Sequence, residues 1–169
     1  MSTGLLIIRL AIGLTLAAHG AQKLFGIFGG LGPTGTAEFF AGLGYRAPQV
    51  MVFVAGLASF GGGLALAAGL LTPFAALAIA TLMVNAIATV QWRHGYWARH
   101  GGFESNLLIW AVAVGLAATG PGEYSVDAAI GADSLSGAGW AGGVAVASLV
   151  VAALTLTVGR DREREGVPR

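Results

Sequence analysis

Three ionisable side chains lie along the first apolar segment of the chain, where the cost of burying charge makes each one a candidate for chemistry. Arg9, His19 and Lys23 are spaced so that they fall in one arc of a helix. An ionisable group at the centre of a membrane span costs about 2.5–3.5 kcal/mol, so this arc is expected to face protein or water. Arg9 and Lys23 lie about 21 Å apart along such a helix, near opposite interfaces, where both can snorkel. His19 lies deeper, and two roles stay open for it: a neutral imidazole bonded to a neighbouring helix, or a ligand contact.

A second group of polar residues surrounds the end of the third apolar segment and the start of the fourth. Glu104 opens a predicted helix, where a carboxylate is favoured by the helix dipole. In the predicted topology it shares one membrane face with Lys23, Gln91, Arg93 and His94. Two interpretations stay open: an ion-pair cluster that fixes helix order, or a site for a small amphipathic ligand entering from the inner leaflet. The candidate ligand-binding residues are Arg9, His19, Lys23, Arg93 and Glu104.

Other kinds of chemistry find little support in the sequence. The chain has no cysteine, which excludes disulfides, iron–sulfur clusters and thiol mechanisms carried by this chain. No phosphate loop, dinucleotide fingerprint, paired-histidine metal helix or activated nucleophile is present, so no metal and no catalytic residue is assigned. Two of the three histidines could ligate a haem from facing helices, but the signal is weak and haem is disfavoured. No nucleic-acid partner is predicted, and any redox chemistry would need a bound cofactor or a protein partner.

The elements that position these residues are apolar helices. Of 169 residues, 56% are hydrophobic and 10% charged, whereas soluble domains keep roughly 25% charged residues. With about 20 apolar residues needed per span, the sequence predicts an all-α, polytopic transmembrane bundle in the lipid bilayer. A four-helix core within residues 1–130 has spans at 5–24, 50–71, 73–91 and 106–119, and an additional span at 140–158 precedes a charged tail at 159–169.

The connections are predicted from turn signals. Gly69 is expected to end the second span and Thr72 to cap the third, with Pro73 at its first position. Residues 36–44 form a short amphipathic run, interpreted as an interfacial helix. The Gly/Ser-rich stretch 120–139 is expected to be an exposed loop that carries Glu123, Asp127 and Asp133.

A seam of small residues runs along the second span. Gly56, Ser59 and Gly63 recur at helical spacing and are interpreted as a packing surface, because small residues let helix backbones approach closely in lipid.

The distribution of basic residues predicts orientation. Five spans put eight of the nine basic residues on one face, which the positive-inside rule makes cytoplasmic. The N-terminus is therefore expected outside and the C-terminus inside a bacterial plasma membrane. The opening also has the outline of a secretory signal, but nothing basic precedes Arg9 and the apolar run continues past the cleavage-like stretch, which disfavours cleavage.

Several motifs resemble the DoxX family of small bacterial membrane proteins over about residues 4–130. They are Arg9-Leu10 with Gly13, His19-Gly20-x-x-Lys23-Leu24-Phe25-Gly26, Thr36 with Phe39-Phe40 and Leu43-Gly44, Gly62-Gly63, Gly69-Leu70-Leu71-Thr72, Gly101-Gly102-x-Glu104 and Gly120-Pro121-Gly122-x-x-Ser125-x-Asp127. The resemblance implies a four-helix membrane bundle linked to membrane redox processes that involve quinones, thiols or oxidative-stress defence. Two departures are evident. Ser59 stands where family members often carry a glutamate, and the span at 140–158 lies beyond the usual family length.

Three functions remain open from the sequence. The first is an accessory subunit of a membrane redox system that binds a quinone-like or lipidic ligand and depends on a protein partner or larger complex for electrons. The second is a non-catalytic scaffold that docks to a larger membrane complex through its glycine seams and last helix. The third is a small transporter, with Arg9 and His19 as pathway residues.

Overall fold

The computed structural model describes residues 2–132 and 134–161, and their architecture is a bundle of α-helices. The all-helical fold predicted from the sequence is confirmed. The helices are α1 (Ser2–Phe25), α2 (Gly32–Gly42), α3 (Pro48–Ala68), α4 (Thr72–Ala86), α5 (Glu104–Thr119), α6 (Val126–Ala129) and α7 (Ala138–Gly159). A π-helical turn (Ile87–Gln91) and a 3-10 turn (Trp92–His94) continue α4, and a further 3-10 turn (Ala98–His100) precedes α5.

Four helices in the described residues are long and apolar enough to cross a membrane: α1, α3, α7 and α4 with its continuation to His94. At 16 residues, α5 is shorter. Its length of about 24 Å falls short of the roughly 30 Å hydrocarbon layer. The short α2 has 11 residues and lies against α3 and α1.

The helices pack around α4, which contacts α3, α5 and α7, while α1 packs mainly on α3. Leu66, Ile79 and Ala117 are fully buried where these helices meet. Polar bonds supplement the apolar core: the Thr155 hydroxyl of α7 donates to Asn85 Oδ1 at 2.8 Å. Trp110 Nε1 of α5 donates to an α7 serine at 3.1 Å. These bonds join α7 to the rest of the bundle.

Small residues set the separation of α1 and α3. A Cβ atom added to Gly63 would lie 2.5 Å from the carbonyl oxygen of Gly13, closer than real contacts allow, and one added to Gly56 would meet the Leu24 side chain. Ser59 is buried in the same contact, where its hydroxyl donates to the Leu16 carbonyl at 2.8 Å. The seam identified in the sequence therefore lies against α1.

The turn between α3 and α4 differs from expectation in one respect. Gly69 ends α3 in the left-handed conformation (φ 66°), as predicted, but Thr72 is the first residue of α4 rather than its cap. The cap position is Leu71, which has φ 46° and no side chain able to accept a hydrogen bond. The capping acceptor comes from a distant part of the chain.

Two hydrogen bonds join the end of α7 to the connection between α2 and α3. Arg160 Nε donates to the Leu43 carbonyl at 2.7 Å, and the Asp161 N–H donates to the Gly44 carbonyl at 2.7 Å. The Arg160 guanidinium lies 5.8 Å from the centre of the Tyr45 ring. Burial raises the pKa of Tyr45, an effect that Arg160 partly offsets, so the phenol stays neutral at physiological pH.

Candidate functional site

At the end of the bundle that holds the α3–α4 turn, Arg9 is 1% exposed. Its guanidinium donates to the Tyr124 carbonyl at 2.5 Å and to the Pro121 carbonyl, with a longer contact of 3.5 Å to the Ala67 carbonyl. Its Nε is buried with no hydrogen-bond partner among residues 2–132 and 134–161. Arg9 of α1 thus connects the segment after α5, through the Pro121 and Tyr124 carbonyls, to α3, through the Ala67 carbonyl.

The expectation that Asp127 would be exposed is wrong, because this side chain is 1% exposed. Its Oδ1 accepts the Leu71 N–H at 2.7 Å, and its Oδ2 accepts the Thr72 N–H at 2.9 Å and the Thr72 hydroxyl at 2.7 Å. A carboxylate at a helix N-terminus satisfies free N–H groups and is favoured by the helix dipole. Asp127 is therefore the cap of α4. Glu123 is exposed as expected, and Asp133 lies outside the described residues.

Arg9 and Asp127 belong to one polar junction, which we define as Arg9, Gly69, Thr72, Pro121 and Asp127. The Asp127 N–H donates to the Gly69 carbonyl at 2.9 Å, so the segment after α5 folds over the α3–α4 turn. The bonds of both side chains go to backbone groups and to one threonine hydroxyl. This pattern is that of a helix cap joining three parts of the chain, and it fits a structural role.

The opposite end of α1 borders an open cleft of about 310 Å³. Its lining comes from α1, from the connection that follows it, and from α2. The lining residues are His19, Gln22, Lys23, Gly29, Gly30, Leu31, Thr36 and Phe39.

The polar side of the cleft is held by hydrogen bonds within and just after α1. His19 is exposed, and its Nδ1 lies 3.0 Å from Gln22 Oε1. Gln22 Nε2 in turn donates to the Phe28 carbonyl at 3.0 Å, which leaves Gln22 Oε1 to face the histidine. Because this oxygen can only accept a hydrogen bond, the ring proton lies on His19 Nδ1. Nε2 is then the acceptor that His19 offers. Lys23 Nζ, half-buried, donates to the His19 carbonyl at 3.3 Å.

These groups can hold the polar head of an amphiphile. Lys23 supplies a cationic donor for a carbonyl or anionic oxygen, and His19 Nε2 supplies an acceptor for a hydroxyl group. Leu31 is largely exposed and Phe39 about half-exposed, and both offer apolar contacts beside them. The arrangement suits a ligand with an oxygen-bearing head and an apolar body.

The five candidate ligand-binding residues lie in three different places in the structure. His19 and Lys23 lie together in the cleft, whereas Arg9 lies in the polar junction at the other end of α1. Arg93, exposed, and Glu104 lie around the α4–α5 turn and are not among the described residues that line the cleft. Glu104 Oε2 accepts the Ala98 N–H at 2.9 Å. Of the polar residues expected at one membrane face, Lys23 thus lines the cleft beside His19, and Glu104 does not line it.

Sequence reasoning did not single out two residues that the geometry makes important. Gln22 fixes the His19 ring, and its position three residues after the histidine is the signal that could have identified it. Asp127 was noted as an acid in a polar loop and as the last residue of a family-like motif, and no capping role was predicted for it. Its place two residues after Ser125, which caps α6 by accepting the Ala128 N–H at 3.1 Å, marks a structured segment.

An all-helical bundle with four long apolar helices and polar groups at both ends defines a multi-pass membrane protein. The DoxX family model matches residues 4–92, more than half of the chain, and the protein belongs to the DoxX family. The predicted membership is thereby confirmed. The match runs from residue 4 of α1 to residue 92 in the continuation of α4 and includes the whole cleft, and it ends before Glu104 and Asp127. No curated protein and no solved structure matches the chain.

Proposed function

We propose that this DoxX family protein binds a lipidic or quinone-like ligand in the cleft around His19 and serves as an accessory subunit of a membrane redox system. The observation that carries the proposal is the pairing of His19 with Lys23 beside apolar Leu31 and Phe39 in one open cleft. Cofactor sites of this kind combine a mostly apolar lining with a few placed polar groups.

A quinone matches the polar groups of the cleft. Its carbonyl oxygen accepts a hydrogen bond from the Lys23 ammonium, and the hydroxyl of the reduced form donates to His19 Nε2. Oxidation of a quinol releases two electrons and two protons, of which His19 takes one and water at the open side of the cleft takes the other. The chain has no cysteine to carry electrons, so the electrons pass to a partner oxidoreductase in this proposal.

The basic residues support an orientation for this site. Lys23 lies in the last turn of α1, and the connections at the same face of the bundle carry Arg46, Arg93 and Arg99. The positive-inside rule makes this face cytoplasmic. We therefore place the cleft at the inner surface of a bacterial plasma membrane, with the N-terminus outside.

A second candidate function is a non-catalytic scaffold, favoured by α7. This helix lies beyond the matched family region, and one side of it leaves Val146, Leu149, Val150 and Leu154 exposed. In this role α7 would dock to a helix of a larger membrane complex, and the cleft would be empty.

Replacement of His19 by alanine is expected to abolish ligand retention while changing the free energy of unfolding by less than about 0.5 kcal/mol, since His19 is exposed. The measurement is mass spectrometry of lipid and quinone extracts, with a melting curve on the same purified sample. Thr15→Ala is the control, because Thr15 is exposed one turn earlier on α1 and its hydroxyl bonds only within the helix. A wild-type sample with an empty cleft and a co-purified protein complex would favour the scaffold instead.

A further inference from the structure

The connection between α4 and α5 is a folded element, which we call the aromatic turn (residues 92–104). Its two ends are joined by backbone bonds, from the Phe103 N–H to the Gly95 carbonyl at 3.1 Å and from the Glu104 N–H to the Tyr96 carbonyl at 2.9 Å. A Cβ atom added to Gly102 would lie 2.6 Å from the Tyr96 carbonyl carbon, so the two sides touch. The turn is therefore a preorganised surface.

Aromatic rings cover this surface. Trp92 stacks on Phe103 with ring centres 5.6 Å apart, and Tyr96 packs edge-on against both Phe103 and Trp97. Despite these contacts, Trp92 remains 67% exposed and Trp97 57% exposed. Indole and phenol rings favour the boundary between acyl chains and water, where an apolar body and a polar edge are both satisfied.

The lengths of the helices place the turn at that boundary. With 16 residues, α5 extends about 24 Å, less than the roughly 30 Å of a hydrocarbon layer. It is too short to carry the turn clear of the membrane. We therefore expect the exposed rings to lie at the level of the lipid head groups.

The net positive charge of the aromatic turn favours anionic lipid head groups over neutral ones. It carries Arg93, His94, Arg99 and His100, all exposed, against the single acid Glu104, whose Oε2 is bonded to the Ala98 N–H. Guanidinium groups bind phosphate oxygens with directed hydrogen bonds. The surface is thus complementary to an anionic group.

We propose that the aromatic turn is a binding surface for the head group of an anionic phospholipid. The indole rings of Trp92 and Trp97 sit at the level of the acyl esters, and Arg99 with its basic neighbours binds the phosphate. The site is separate from the His19 cleft and does not depend on the function proposed for that cleft.

The test uses nanodiscs with equal amounts of phosphatidylcholine and phosphatidylglycerol, in which one lipid or the other carries brominated acyl chains. Bromine quenches tryptophan fluorescence at short range, so the ratio of quenching by the two lipids reports which head group surrounds the indoles. Wild type is expected to show about twofold stronger quenching by brominated phosphatidylglycerol. The Trp92→Phe/Trp97→Phe variant is expected to lose this excess, because the remaining tryptophans lie outside the turn.

The charge requirement is tested by Arg93→Gln/Arg99→Gln, which is expected to bring the quenching ratio to one. Arg46→Gln is the matched control, since Arg46 is an exposed arginine at the same end of the bundle but outside the turn. In wild type, about 1 M salt is expected to remove the preference as well, because it shortens the screening length to about 3 Å. Equal quenching by both lipids in wild type, a preference that survives the double substitution, or an equal loss in Arg46→Gln would each overturn the proposal.

Discussion

Replacement of Asp127 by alanine is expected to lower the free energy of unfolding by about 3 kcal/mol. The buried carboxylate accepts three hydrogen bonds, from the Leu71 N–H, the Thr72 N–H and the Thr72 hydroxyl. Alanine leaves these donors without their acceptor at the start of α4. Asparagine is expected to rescue only part of the loss, because its oxygen still accepts from one side while its amide nitrogen is a donor and would face donors.

The measurement is denaturant unfolding in detergent micelles or bicelles, with Glu123→Ala as the control. Glu123 is an exposed acid in the same segment, so its loss should change stability by less than about 0.5 kcal/mol. Equal effects of the two substitutions would show that Asp127 does not cap α4.

Replacement of Arg9 by methionine is expected to lower the free energy of unfolding by about 2 kcal/mol. The Pro121 and Tyr124 carbonyls lose their common donor. Part of this cost is offset, because methionine removes the desolvation penalty of a buried guanidinium. Lysine should rescue only in part, since its ammonium does not present the planar donors that reach both carbonyls.

Unfolding in the same micelles measures this effect, and a double-mutant cycle with Asp127→Ala adds a sharper criterion. Both residues hold the segment after α5 on the bundle. The loss of unfolding free energy in the double mutant should therefore be smaller than the sum of the losses in the two single mutants. A stable Arg9→Met protein that no longer retains ligand would contradict the structural role and return Arg9 to the ligand-binding candidates.

Helical spacing and hydropathy were enough to predict the four long apolar helices. The arc of α1 with Gly13, Arg9 and Gly20 could be read from the sequence because helical periodicity fixes which side chains share a face. That face meets α3, since Gly13 opposes Gly63 and Gly20 opposes the backbone of Phe60. Local patterns therefore identified a packing face on each of α1 and α3, and the structure shows that these two faces meet.

The polar junction could not be predicted in the same way. Asp127 stands among Gly, Ser and other acids, a composition typical of exposed loops. Its acceptor role depends on Thr72, which lies 55 residues earlier in the chain and has no sequence signal that points to it. The predicted topology put Lys23 and Glu104 at one membrane face, but the order of spans along the chain does not determine which helices are neighbours at that face. In the structure α1 packs mainly on α3, and α5 on α4 and α7.

Photocrosslinking within the membrane shows whether the cleft around His19 holds a particular amphiphile, as proposed above. A photoreactive phenylalanine analogue replaces Phe39, which lines the cleft, or Phe53, which is exposed on α3 and serves as the control. Mass spectrometry then identifies the lipids bound covalently at each position. One quinone or lipid species is expected to dominate the adducts at Phe39, while the adducts at Phe53 follow the composition of the surrounding bilayer. Adducts of the same composition at both positions would contradict the proposed binding.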